Sequence, residues 1–158
     1  MRTGRYARDT SVSVDGSKSE IERILARYGA DQFMSGWDQE KAVIAFRMNH
    51  RHVKFILPLP ARDDPAFTEY LRGSVRYARA DGEAYKQWEQ ACRQRWRALA
   101  LCIKAKLEAV EVGITTFEDE FLAHIVLPDG QRVGDWMKPQ IEEAYLTAAM
   151  PPLLAAGR

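Results

Sequence analysis

The chain has 158 residues, 46% of them apolar and 28% charged, with 23 basic against 22 acidic side chains. That is enough apolar material for one buried core, and a net charge of +1 excludes a wholesale polyanion binder: any nucleic-acid site must arise from local segregation of charge. No run approaches about eighteen consecutive apolar residues, and "MRTGRYARDTSV" lacks the apolar core of a signal peptide, so the chain reads as a cytoplasmic protein that does not meet membranes, with Cys92 and Cys102 as reduced thiols.

Residues 1–10, with Arg2, Arg5 and Arg8 and little apolar content, read as a flexible basic arm or an ordinary frayed terminus. Residues 11–158 read as a single α+β domain, its first part (11–60) a β-α-β-β-β unit. "SVSV" alternates like a short strand. Ser17 to Glu20 fits a capping box, followed at helical spacing by Ile21, Ile24, Leu25 and Tyr28, with Gly29 placed for a left-handed C-cap. "QFMSGW" makes a strand. "KAVIAFRM" puts Ala42, Ile44, Phe46 and Met48 on one face of a second, "NHRH" turns the chain, and Val53, Phe55 and Leu57 line a third that Pro58 and Pro60 end.

Residues 61–82 carry Arg62, Arg72, Arg76 and Arg79 without a clean period, and read as a basic connector that orders on binding. Residues 83–111 predict one long amphipathic helix, roughly 40 Å at about 1.5 Å per residue. Its apolar stripe is Tyr85, Cys92, Trp96, Leu99, Ile103, Leu107 and Val110, spaced like a helix–helix seam, and Gly113 stops it. Trp96, Leu99 and Ile103 are the centre of that seam, with a second copy or the chain's own sheet as its cover. Thr116 and Asp119 mark the start of a further helix, "HIVLPDGQRV" a short hairpin around Asp129–Gly130, and "DWMKPQIEEAYL" a last helix with Asp135 as cap and Pro139 near its first turn. The tail "MPPLLAAGR" is expected to be extended.

Two constellations point to polyanions. Lys86, Arg93, Arg97 and Lys104, with Gln90 among them, share a sector of the long helix about 90° from the apolar stripe. Such a line of cations tracks a phosphate backbone, or is simply the solvated side of a core helix. Arg47, Arg51, His52 and Lys54 lie in or beside the central hairpin, near Phe33 and Trp37; cations interleaved with aromatics suit single-stranded nucleic acid, whereas the plainer reading is a wet sheet face. His50 and His52 lack a third ligand, so no metal is expected, and no cofactor either. The chain has no G-x-S-x-G, P-loop, H-E-x-x-H or Rossmann glycine pattern, and its neighbouring acids (Asp63–Asp64, Glu118–Glu120, Glu142–Glu143) are the kind that face water or helix ends rather than Mg²⁺. A non-enzymatic protein is expected.

The runs "SKSEIERILARYGADQF", "AVIAFRMNHRHVKFILPLP" and "WEQACRQRWRALALCIKAKLEAVEVGITTFEDEFLAHIVLPDG" resemble small phage- and prophage-encoded proteins, over most of the chain. Some of those are similar in placement to recombination and replication modules, which implies a role in a DNA transaction. The opening β-α-β-β-β unit is also similar to half of a TATA-binding-protein-like fold. The resemblance brings no catalytic residues. The expectation is therefore an accessory protein binding nucleic acid, DNA before RNA, through Lys86, Arg93, Arg97, Lys104, Arg47, Arg51 and Lys54. The alternatives are an anti-CRISPR-like inhibitor of a host defence complex, which suits the near-neutral charge, and a subunit that assembles through the long helix.

Overall fold

The computed structural model describes residues 7–38 and 40–150. It is an α+β fold. In chain order it runs α1 (Val14–Arg27), β1 (Gln32–Asp38), β2 (Lys41–Met48), β3 (Arg51–Pro58), α2 (Pro65–Thr68), β4 (Glu69–Arg72), β5 (Val75–Ala78), α3 (Asp81–Glu111), α4 (Phe117–Phe121) and α5 (Val133–Thr147), with a 3₁₀ turn at Leu122–His124. Most of the expected arm, with Arg2 and Arg5, and the expected extended tail from Pro151 onward lie outside the described residues. Within them, Ala7 is buried, and the carbonyl of Thr10 accepts from the Gln90 side chain at 3.0 Å, so residues 7–10 are tied along α3 rather than free.

The first strand of the expected β-α-β-β-β unit does not form. Ser13 caps α1 instead, its hydroxyl accepting from Gly16 N–H at 2.9 Å, one turn before the anticipated start. Ser17 therefore sits inside the helix, fully buried. β1, β2 and β3 form the expected antiparallel meander in that order, with Phe33 opposite Phe46 and Ile44 opposite Phe55. Asn49 and His50 join β2 to β3, both with positive φ, the arrangement of a type I′ turn.

Ala42, Ile44, Phe46, Met48, Val53 and Phe55 alternate onto one face of this sheet. α3 and α1 cover that face. Trp96, Leu99, Ile103 and Leu107 of α3 meet Ile21, Ile24 and Leu25 of α1, and Phe117, Phe121 and Ile125 close the end. Phe121 packs edge-on against both Phe46 and Phe55. The long helix is continuous, as the sequence predicts, but the seam at Trp96, Leu99 and Ile103 is covered by the chain's own sheet and α1. A partner helix has no access to it, because the three side chains are 2%, 8% and 0% exposed within one chain. Tyr85, expected on the same stripe, is exposed, since α3 extends past the sheet at its N-terminal end.

The segment 61–82 departs most from expectation. Asp64 caps α2, accepting from Ala66 N–H at 2.8 Å, and β4 and β5 then form a separate two-stranded ribbon. Arg72 pairs with Val75 across Gly73–Ser74, and Gly73 alone of the two turn residues has positive φ (65°), which is type II′ geometry. After α4, the expected hairpin contracts to a tight loop. Leu127 N–H donates to the Gln131 carbonyl at 2.7 Å, and the flanking residues make only single bridges, Ile125 to Val53 and Val126 to Arg132. The second strand is cut short because α5 begins at Val133. Gly134 of α5 lies so close to Ala123 that a Cβ would stand 2.8 Å from its carbonyl oxygen. Asp135 does not cap α5; it pairs with Arg132 at 2.8 Å and Lys138 at 3.3 Å, and the Arg132 hydrogen bonds hold its carboxyl down to about 2. Pro139 lies inside the helix rather than in its first turn.

Two outcomes follow from this packing. Ile103→Ala removes a fully buried side chain beneath the sheet and is expected to cost about 2–5 kcal/mol in chemical denaturation. His124 stacks on Phe55 at 4.1 Å with Nδ1 buried and without a hydrogen-bond partner; burial, then Lys106 and Arg132, push its imidazole below the ordinary 6.5. The unfolded chain thus takes up a proton that the folded chain refuses. Stability is complete above about pH 6.5 and declines as pH falls through that value, and His124→Phe is expected to flatten this part of the denaturation-midpoint profile.

Candidate nucleic-acid interface

α1 lies along α3, and this decides the fate of Arg97. Glu20 of α1 receives the Arg97 guanidinium in an ion pair whose side chains are both about three-quarters buried. Arg93 folds back along its own helix, donating to Gln90 Oε1 at 2.9 and 2.5 Å with Glu89 3.5 Å away. Lys86 pairs with Glu83 at 3.1 Å. Lys104 alone of the four sites has no carboxylate in ion-pair range among the described residues. It lines a groove of about 260 Å³ between α1 and α3 with Arg23, Arg27, Glu20 and Glu108. The expected row of water-facing cations is therefore broken: Arg97 is taken up by α1, while Arg93 and Lys86 pair along their own helix.

The sheet cations divide as well. Arg47 makes a two-pronged pair with Asp31, at 2.8 Å through Nε and 2.5 Å through Nη2. Those hydrogen bonds hold the Asp31 carboxyl below its ordinary value. Arg51 only touches the His50 carbonyl, at 3.4 Å, and Lys54 has no ion-pair partner among the described residues. The open face of the sheet, opposite the core, carries rows set by the strand register: Gln32–Arg47–His52, Met34–Ala45–Lys54 and Gly36–Val43–Ile56. Phe33 and Trp37 alternate to the other side, with Phe46 and Ala42. The anticipated interleaving of aromatics with these cations does not occur, since a strand turns successive side chains to opposite faces.

The ribbon supplies the interleaving instead. Both of its strands are exposed almost throughout. On one face Tyr70 and Tyr77 stack at 5.7 Å, Arg72 and Val75 follow by alternation, and the Arg79 guanidinium lies over the Tyr70 ring at 5.7 Å. Arg79 is held there by donating from Nε to the Glu69 carbonyl at 3.1 Å. On the other face Leu71 is joined by Arg76, which reaches Glu69 at 3.5 Å while staying 72% exposed. An open cleft of about 480 Å³ at the ribbon's root is lined by Pro65, Tyr70, Arg76 and Arg79, among others. Beside it Arg62 stands over Tyr85 (5.0 Å) and Trp88 (5.9 Å), and Trp88 Nε1–H donates to the Pro60 carbonyl at 2.8 Å.

No family model, curated protein or solved structure matches the chain.

The sequence marks these arginines as basic, but the ribbon that carries them was not anticipated. The signal for it is Gly73–Ser74 between two runs that each alternate, Tyr70-x-Arg72 and Val75-x-Tyr77-x-Arg79. Titrating the side-chain carboxyls by NMR checks the sheet pair: Asp31 should titrate below the ordinary 3.8, and Arg47→Gln should return it toward that value.

Proposed function

We propose that the protein is a non-enzymatic nucleic-acid-binding accessory factor of the phage type, acting in recombination or replication, with DNA as its ligand before RNA. The observation that supports this best is the ribbon: a two-stranded β element, exposed on both faces, that presents Arg72, Arg76 and Arg79 beside the stacked pair Tyr70–Tyr77. A two-stranded ribbon has the width to enter a major groove, and exposed aromatics between guanidinium groups offer unpaired bases a surface to stack on. Arg62 on the adjoining loop, with Lys54, Arg51 and Lys104 elsewhere, adds cations not held in ion pairs among the described residues. Arg93, Arg97, Arg47 and Lys86 already have carboxylate partners and take a smaller part. The ribbon positions phosphates and stacks bases rather than specifying sequence.

A second reading, an inhibitor that binds a host protein complex, is favoured by α5. That helix buries no side chain and leaves Trp136, Ile141, Tyr145 and Leu146 exposed. The experiment that separates the two is a fluorescence-anisotropy titration with single- and double-stranded DNA and RNA across a range of salt. Binding should weaken linearly in log–log form. Replacing Arg72, Arg76 and Arg79 by Gln should reduce affinity at least about tenfold and shallow the salt slope by about 0.7–0.9 for each phosphate no longer neutralised. Arg97→Gln should leave the slope unchanged. No binding to any of these ligands at about 50 mM salt overturns the nucleic-acid reading and leaves the protein-partner one.

A further inference from the structure

The sheet has two edges, and among the described residues one is bridged near its start while the other has no neighbour. Along β3, Ile125 bridges Val53, and Val126 N–H donates to the His52 carbonyl at 2.8 Å. β1 has no neighbour on its outer side among the described residues, and six of its seven residues are exposed. It also lacks the devices by which edge strands avoid one another: no proline, no lysine, no inward-pointing charge over Gln32–Asp38.

We propose that β1 pairs antiparallel with β1 of a second copy of this chain about a two-fold axis at Ser35, joining two three-stranded sheets into one of six strands. The strand's own order of residues makes this register self-complementary. Ser35 meets Ser35, Phe33 meets Trp37, Met34 meets Gly36, and Gln32 meets Asp38, each of the last three pairs occurring twice. Asp38 is the one formal charge in the strand, and the register sets it against an amide, so no like charges face each other. On the core side of the sheet, Trp37 is aligned with buried Ala42 yet is 80% exposed, because no described element of its own chain covers it. The pairing brings it against Phe33, which packs on the hydrophobic core. On the open side Met34 is 66% exposed, and the space where a Gly36 Cβ would stand has no atom within 4 Å. Met34 of the second copy fits that space. A peptide of arbitrary sequence would satisfy the backbone edge but not these reciprocal aromatic and methionine–glycine matches, which a second copy supplies by symmetry.

Sedimentation velocity on the full chain, without nucleic acid, tests this separately from the ribbon. The wild type should be a concentration-dependent dimer. Ser35→Lys places two ammonium groups opposite each other at an exposed position, and should raise the dimer dissociation constant at least about tenfold with the circular dichroism spectrum unchanged. In a Cys102→Ser background, Ser35→Cys should form a covalent dimer under mild oxidation, whereas Gln32→Cys, which faces Asp38, should not. A monomer at about 200 μM, a dimer indifferent to Ser35→Lys, or equal cross-linking from positions 32 and 35 would each overturn the proposal. Weakened DNA binding in the arginine variants of the ribbon bears on neither result.

Discussion

The burial of one edge of α3 beneath the sheet and α1 is the contact on which the rest of the molecule depends. Trp96, Leu99, Ile103 and Leu107 are each nearly or fully removed from water, and burying side chains of this size stabilises by about 1.5–3 kcal/mol apiece. A surface ion pair contributes about 0–1 kcal/mol. The rotation of α3 is therefore set by its apolar edge, and its charges fall where that rotation leaves them. Once Trp96 and Ile103 face the sheet and α1 lies alongside, Arg97 meets Glu20 as a consequence.

That order of magnitudes separates the charges that belong to the fold from those free to meet something else. Arg97 with Glu20, Lys106 with Glu120 and Arg47 with Asp31 tie α1 to α3, α3 to α4 and the β1 approach to β2, so their cations are engaged inside the molecule. The arginines of the ribbon stand outside this frame. A lone two-stranded hairpin is of marginal stability in water. This one is supported by its stacked tyrosines, by Arg79 bound to the Glu69 carbonyl, and by α2 at its root. An element so weakly anchored contributes little to the core, and its basic, aromatic surface is left to solvent.

Unpaired β structure recurs on the surface. The ribbon presents two faces, β1 an edge without a neighbour among the described residues, and the sheet an open face with small apolar residues at its middle and cations towards both ends, Lys41 at one and Arg47 at the other. α5 adds an apolar helix surface that the described residues leave open. These surfaces are chemically distinct. The ribbon is cationic and aromatic, β1 uncharged until Asp38, and α5 mostly apolar.

Elements whose signal is local are legible in the chain alone. The three-four spacing of α3, the alternation of β2 and β3, the Asn49–His50 turn and the Thr116 cap are all read from neighbours along the chain, and each stands where it was expected. Local reading went astray where one short signal competed with another, as when Ser13 capped α1 a turn ahead of Ser17, and where a strand pair faced water on both sides, so that the β4–β5 ribbon carried no inside-and-outside contrast. Packing between distant segments settles which cations are spent on carboxylates far away in the chain, as Arg97 is on Glu20 77 residues before it, and on which side of the sheet Trp37 lies relative to Lys54. The reason is physical: secondary structure follows from contacts within a few residues, while the partner of a charge and the exposure of a face are fixed by whichever distant element the core brings against them.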